Sequence, residues 1–591
     1  MMLPRAGVMK NVRCLRSELS ATHLYFQTKL TVATCRYRTD ASDLMLSIFV
    51  LLRNEMLQQL VNYTLSSLEA KEWRGVEASL FCLINVADNV MEDQQSEDIV
   101  GPVFRSSLFR DVADFSQFVP AQARRTAVDM LGSYGGYIER NPEFLPDTVT
   151  FLFAALEKAG LANVAAKSIE SLCCTCRVNL TGHLSGFLAQ YQGFLQSPTC
   201  ETYTKEKVIC AIAAIIQALR PESAKVPPLL ALLEHVEQDV EAAKKHAAQG
   251  DAEMAEHVGV SALECLASIG KGLQVPDDVP IDLDDESNTA SAISDYWTTG
   301  EGRVVQQRIM GCFSVLQAVG SYGDAIDAMC RILRVGFTEV DPGPFVLPPS
   351  VTVSFLQECS VETPQLEAVL STACTLIAQH SRKDAARVDA EVEAIFQSVT
   401  TFTQTLGQPS QDPGVAMGCI DVLSRMIPYY SNVLFSQLSP PVLDFTLAAI
   451  EGTNTFSKKS SCDLWTKMIK PHSTPTSADV RGRVQEVISA YGPKFVNSLM
   501  TQIGGNALRS DLEFLCEPLK ALLLNQPNVQ SWLQNAVLGE TFPAADPRVG
   551  PDQKNLFLRQ IAATRGDGNR IKNLVRQFWA ACRGTVSSYA S

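Results

Sequence analysis

Three cysteines stand within four residues, Cys173, Cys174 and Cys176, and thiols so close raise the question of a metal. A structural zinc site takes four tetrahedral ligands, usually in two spaced pairs. No second pair accompanies this group. The thiols therefore read as reduced side chains, with Cys173 and Cys176 at i, i+3 on a buried helical stripe and Cys174 rotated off it. The seven histidines fall in no His-Glu-x-x-His and no Cys/His grouping. Gly270-Lys271 lacks both the upstream glycine and the following Ser or Thr of a phosphate-cradling loop. Gly132, Gly135 and Gly136 lack the strand-turn-helix setting of a dinucleotide fold, and close helix packing accounts for them. No catalytic, cofactor or metal site is expected, and the chain reads as a binding protein and not an enzyme.

Two charged groups remain. Asp277, Asp278, Asp282, Asp284, Asp285 and Glu286 crowd around Pro276 and Pro280 in a loop. The run is either a solvated excursion between helices or an acidic strip that contacts a basic partner. Arg331 and Arg334, three apart on one helix, can share a face and hold a single phosphate, or pair with nearby acids. The whole chain has 50 Lys plus Arg against 64 Asp plus Glu, a formal charge of -14. That charge repels phosphate backbones and favours basic partners, so direct nucleic-acid binding is not expected. No run of eighteen uncharged apolar residues occurs, so no membrane span is expected either.

The elements that must carry these groups are helices. In Asn141 to Leu180, Val149, Leu152, Phe153 and Leu156 fall at i, i+3, i+4, i+7, and after Gly160 the set Ala165, Ile169, Leu172, Cys173, Cys176 repeats that spacing. In Thr181 to Pro221, Leu184, Phe187, Leu188 and Tyr191 start the pattern, and Val208, Ile212, Ile215, Ile216 and Leu219 resume it. Each stretch is a pair of one-striped helices about 40 residues long, the period of a helical solenoid. Neither pair buries its stripe alone, so neighbours must stack. Gln94 to Asp98, Pro142 to Pro146, Gln196 to Thr204 and Pro221 to Pro228 read as turns between helices. The expected fold is all-α, a HEAT-repeat α-solenoid of antiparallel helix pairs. Its expected organisation is a basic, poorly ordered segment over 1–42, central repeats over 43–274, the acidic loop over 275–300, and C-terminal repeats with a capping helix over 301–591. Regular structure is expected from Asp43, with Leu44, Ile48, Leu51, Leu52 and Met56 on one stripe. In the last helix, Asn569 to Cys582, the apolar face of Ile571, Leu574, Val575, Phe578 and Trp579 is expected to cap the final repeat.

Four stretches carry a family resemblance. Trp73-Arg-Gly-Val-Glu-Ala resembles the Trp-x-x-x-Glu-Ala helix of the karyopherin-β nuclear transport receptors. Tyr137-Ile-Glu-Arg-Asn-Pro-Glu-Phe-Leu, followed by Ala165-Ala-Lys-Ser-Ile-Glu-Ser-Leu-Cys-Cys-Thr-Cys-Arg177, is similar to the middle of the importin-13 and transportin-3 branch. Ser531-Trp-Leu-Gln-Asn-Ala-Val is the third. The fourth, Pro551-Asp-Gln-Lys-Asn-Leu-Phe running on through Asn569-Arg-Ile-Lys-Asn-Leu-Val-Arg to Cys582-Arg-Gly, resembles the importin-13 end of that branch.

The resemblance implies a superhelix that binds folded cargo with basic surfaces on its concave face. It further implies passage through the nuclear pore by contacts with Phe-Gly nucleoporins, shuttling between nucleus and cytoplasm, and cargo release by the GTPase Ran. Family members are longer at the N-terminus, where their leading repeats make the main Ran contact, so an N-terminally truncated receptor is expected here and Ran binding is in question. The arginine-rich helix with which the transportin-3 side grips phosphorylated Arg-Ser segments is matched only by Arg331 and Arg334. The resemblance therefore points to importin-13-like cargo, and the cargo-contact candidates are these two arginines and the acidic run.

Overall fold

The computed structural model describes residues 38–276, 296–320, 323–339, 342–380, 388–470, 478–540, 542 and 549–585. Among them the chain is helical with no strand. They form two compact units: one takes the residues up to Leu232 and again from Ser268, and the other takes Leu233–Ala267 and the residues from Tyr296 on.

In the first unit, second helices of successive pairs lie side by side: Trp73–Asn85, Ala121–Ser133, Ala162–Thr175 and Thr202–Gln217. The first helices include Asn54–Glu69, Gln94–Arg105, Leu145–Leu156 and Leu184–Phe194. The second unit repeats the plan, with Gly323–Thr338, Leu366–His380, Pro413–Met426, Thr455–Ile469, Leu512–Asn525 and Gly568–Arg583 as its row of second helices. This is an all-α HEAT-repeat solenoid, and its period is written in its hydrogen bonds. Ser168 donates to the Val128 carbonyl, 40 residues back, at 2.9 Å, and Ser171 to the Gly132 carbonyl, 39 back, at 2.8 Å. In the second unit Gln306 donates to the Val346 carbonyl, 40 away, at 3.0 Å, and Ser424 to Asp463, 39 away, at 3.0 Å.

Local chemistry starts and stops the helices. The Asp412 carboxylate accepts the Gly414 and Val415 N–H groups, both at 3.0 Å, ahead of Pro413 in the first helical position. Asn454 and Asp567 cap their helices in the same way. Gly584, at φ +65°, closes the last helix in the left-handed conformation that glycine accepts without cost. The stretch Gln94 to Asp98, expected as a turn, is instead the first turn of Gln94–Arg105: Asp93 accepts the Ser96 N–H at 3.1 Å, and a polar first turn is what such a cap calls for.

Two further expectations are corrected. Thr202–Gln217 is not one-striped, because Val208 through Gln217 are all buried. It lies among Ala162–Thr175, Leu184–Phe194 and the end of Ala252–Gly272, where a Cβ on Gly272 would stand 2.4 Å from the Cys210 carbonyl oxygen. Five β-branched aliphatic residues persist there against their helix propensity because tertiary burial outweighs it. The helix expected from Asp43 already runs over 38–52, and Arg53, at φ 41°, ends it. Of its expected stripe only Met56, beyond that break, is buried, joined by Phe49, while Leu44, Leu51 and Leu52 are exposed. The stripe of Leu145–Leu156 holds in part: Leu152, Phe153 and Leu156 are buried, but Val149 is not, and Phe151 and Ala155 off the expected stripe are buried too. Cys173 and Cys176 are core residues with Cys174 half-buried, and Ile571, Val575, Phe578 and Cys582 bury the face of Gly568–Arg583.

Candidate partner-binding surfaces

The first helices leave two grooves on either side of Leu145–Leu156. One, of about 470 Å³, lies between that helix and Leu184–Phe194 and is lined by Leu145, Pro146, Val149, Phe153, Leu180 and Phe187 among others. Its floor is an edge-to-face pair, Phe153 and Phe187, with ring centroids 5.4 Å apart. Gly186, which lines it, has open space where a side chain would stand, so the groove is not filled from its own helix. The other, of about 590 Å³, faces Gln94–Arg105 and Leu108–Ala113 and is lined by Phe104, Phe109, Phe144 and Phe151, with Arg105, Arg110 and Asp147 at polar positions. Phe104 stacks on Tyr137 at 4.6 Å and on Phe109 at 5.4 Å, a rigid aromatic wall. These grooves fit apolar or aromatic side chains presented on a short extended segment.

The second helices of the second unit carry a polar cavity of about 310 Å³, lined by Glu367, Ser371, Cys374, Asp421, Ser424, Arg425, Asp463 and Lys467 among others. Burial raises the Asp421 carboxyl above the usual carboxylate value, against a lowering hydrogen bond with Ser460, and the nearby Asp463 charge raises it further. Burial likewise pushes the Cys374 thiol up to about 12. Lys467 bridges the cavity, 2.6 Å from Asp463 and 2.8 Å from the Ser424 hydroxyl. Sequence reasoning missed this site, although an aspartate inside Gly418-Cys-Ile-Asp-Val-Leu was a visible signal that a charge had to be accommodated among apolar neighbours.

The expected cargo-contact residues are placed as follows. Arg331 is partly exposed, pairs with Glu264 and reaches Asp327, one turn away, at 3.2 Å. Arg334 donates to the Cys330 carbonyl of its own helix at 3.2 Å. The two guanidinium groups thus take different partners. Asp277, Asp278, Asp282, Asp284, Asp285 and Glu286 lie outside the described residues, as does the basic segment before residue 38. The apolar grooves were not singled out, because Val149 and Phe187 satisfied the stripe pattern and nothing in a stripe separates a core residue from a groove wall.

Residues 108–190, the stretch holding most of both grooves, match the family described as Transportin-3/Importin-13 third TPR domain. The importin beta-like protein kap111 of Schizosaccharomyces pombe is 22% identical over 568 residues, covering 93% of this chain and 55% of that protein. Importin-13 of Homo sapiens is 22% identical over 582 residues, with the same two coverages. The solved structure described as "Importin13 cytosolic state" superposes with a TM-score of 0.73 at 16% identity, covering 93% of this chain and 60% of that one. The chain spans about half the length of the curated relatives it matches. The chain is thus similar in sequence to the importin-13 and kap111 proteins, and its solenoid fold is similar to that of importin-13.

Proposed function

We propose that the chain is a nuclear transport receptor, a binding protein that carries folded cargo with basic surfaces and shuttles between nucleus and cytoplasm. The observation that carries this reading is the likeness to importin-13 in both sequence and fold over 93% of the chain. The two grooves beside Leu145–Leu156 are the docking sites for Phe-Gly nucleoporins. Their aromatic walls suit phenylalanine side chains separated by small residues. Cargo contacts lie on the second helices, where Glu367, Asp421 and Asp463 suit a basic side chain, with Arg331, Arg334 and the acidic residues Asp277 to Glu286 as further contacts. The net charge of -14 speeds encounter with basic cargo. Ran bound to GTP competes with cargo through coupled binding, in which each ligand changes the other's affinity by the same factor.

The test is a pull-down of nuclear and cytoplasmic extract on the purified chain, with and without Ran locked in its GTP form. Retention of basic nuclear proteins, lost on adding Ran, supports the receptor reading. Retention of no nuclear protein contradicts it. A Val149→Asp chain should lose binding to a synthetic Phe-Gly repeat peptide while keeping its cargo, and equal peptide binding by the two chains would remove the groove assignment.

A further inference from the structure

The two grooves beside Leu145–Leu156 differ in charge. Among the described residues no arginine, lysine or carboxylate lines the one of about 470 Å³, whereas Arg105, Arg110 and Asp147 line the one of about 590 Å³. Elsewhere in this unit guanidinium groups are occupied: Arg124 donates to the Val112 and Asp114 carbonyls at 3.1 and 2.8 Å, and Arg140 to Glu97 at 3.1 Å. The guanidinium groups of Arg105 and Arg110 are exposed and have no hydrogen-bond or ion-pair partner among the described residues, Asp147 included. A third donor lies beside Arg105. Tyr137, 3% exposed, stacks on Phe104 of the groove wall at 4.6 Å, and its hydroxyl has no hydrogen-bond partner. Gly101 leaves space in front of both donors: a Cβ there would stand 3.1 Å from the hydroxyl oxygen and 3.4 Å from Arg105 Nη1. Burial is the main cause that raises the Tyr137 hydroxyl above its ordinary pKa, with Arg105 opposing and Glu143 and Asp98 adding to it, so the hydroxyl keeps its proton. Two donors thus converge on one space without an acceptor, an unfavourable arrangement for a buried polar group.

We propose, building on the docking role given to the grooves above, that the 590 Å³ groove takes an extended peptide segment in which an aromatic residue stands beside an aspartate or glutamate. The ring packs among Phe104, Phe109, Phe144 and Phe151. The carboxylate accepts from Arg105 and from the Tyr137 hydroxyl, supplying the acceptor that both lack, and Arg110 adds a second cation to the groove wall. Against these two cations stands one lining acid, Asp147, so the groove is positive on a chain whose formal charge is -14. That contrast gives it selectivity, because an acidic segment is repelled by most of the surface and attracted here. The 470 Å³ groove, without such charges, takes neutral aromatic segments.

The test uses the full chain and two synthetic peptides that present a phenylalanine between two aspartates or between two serines, with dissociation constants read by fluorescence anisotropy. The Asp-flanked peptide should bind about fivefold tighter at low salt, and the gap should narrow as salt is added. Arg105→Gln combined with Arg110→Gln should bring the two peptides to equal affinity, with an unchanged thermal midpoint, since neither exposed guanidinium has a partner to lose. Tyr137→Phe should reduce the preference, again with an unchanged midpoint, because its hydroxyl makes no hydrogen bond. Equal binding of the two peptides by the unmutated chain, or a preference that survives the double arginine variant, would overturn the proposal and leave the docking role of the grooves standing. Binding of neither peptide would overturn both.

Discussion

Two seams between neighbouring second helices, one from each unit, are joined by different chemistry. In the first, Ala121–Ser133 and Ala162–Thr175 come so close at Gly132 that an added Cβ would stand 2.8 Å from the Ser168 Cα, and serine hydroxyls bind the neighbour's carbonyls. In the second, Lys458 on Thr455–Ile469 reaches Asp511 at 3.0 Å and Gln502 at 2.9 Å, with the two charged side chains only 2% and 0% exposed. One seam depends on small residues and neutral hydrogen bonds, the other on a desolvated ion pair. The same repeat geometry tolerates both, but the consequences of damage differ. A lost neutral hydrogen bond costs about 1 kcal/mol, whereas one partner of a buried ion pair left alone costs about 3–5 kcal/mol.

The largest expected effect is thus at the charged seam. Asp511→Ala should lose about 3–5 kcal/mol locally, read as faster amide exchange in Thr455–Ile469 and Leu512–Asn525. Lys458→Met combined with Asp511→Leu should recover most of the loss, and exchange as fast in the double variant as in the single would show that packing, not charge, holds the seam. Next comes the close seam, where Gly132→Val should cost about 1–3 kcal/mol by forcing backbone apart. Gly193→Ala is its control: that glycine sits in a helix with open space around its Cβ position, so the change should stabilise by about 0.5–1 kcal/mol, and thermal shifts of the same sign for both would break the comparison.

Smaller still is the contrast in pH response, measured as thermal midpoints between about pH 3 and pH 8. Burial acts to raise Glu170, but hydrogen bonds from Lys207 and Lys271 outweigh it, so its folded pKa lies below the 4.5 of a free group. Its stabilisation is fully present above that value and lost as pH falls through the folded pKa. Asp421 is the reverse, raised by burial above 3.8, so its favourable contribution is present below that value and lost as pH rises through the folded pKa. Glu170→Gln should therefore lower the midpoint at neutral pH and do little in acid, while Asp421→Asn should raise it at neutral pH. Equal responses would show that the two carboxylates do not differ in environment.

Much of this architecture was legible in the residues. The stripe of Ala162–Thr175, and the division of Cys173 and Cys176 from Cys174, follow from 3.6-residue periodicity because that helix buries one face. Where that premise fails, the reading fails. Thr202–Gln217 is buried on several sides, and the helix over 38–52 leaves Leu44, Leu51 and Leu52 exposed, since a stripe shows which face is apolar and not whether anything covers it. The Lys458–Asp511 pair left no trace, as the partners are 53 residues apart and Lys458-Lys459 looks like any solvated pair. The two grooves and the Asp421 cavity are formed between repeats, so no window along one helix contains them.

Under the proposed function this solenoid carries itself, with cargo, through the nuclear pore. The most direct measurement follows the fluorescently labelled chain in permeabilised cells beside an inert protein of equal mass. The chain should gather at the nuclear rim and equilibrate into nuclei while the inert protein stays outside. Exclusion of both to the same extent would contradict it.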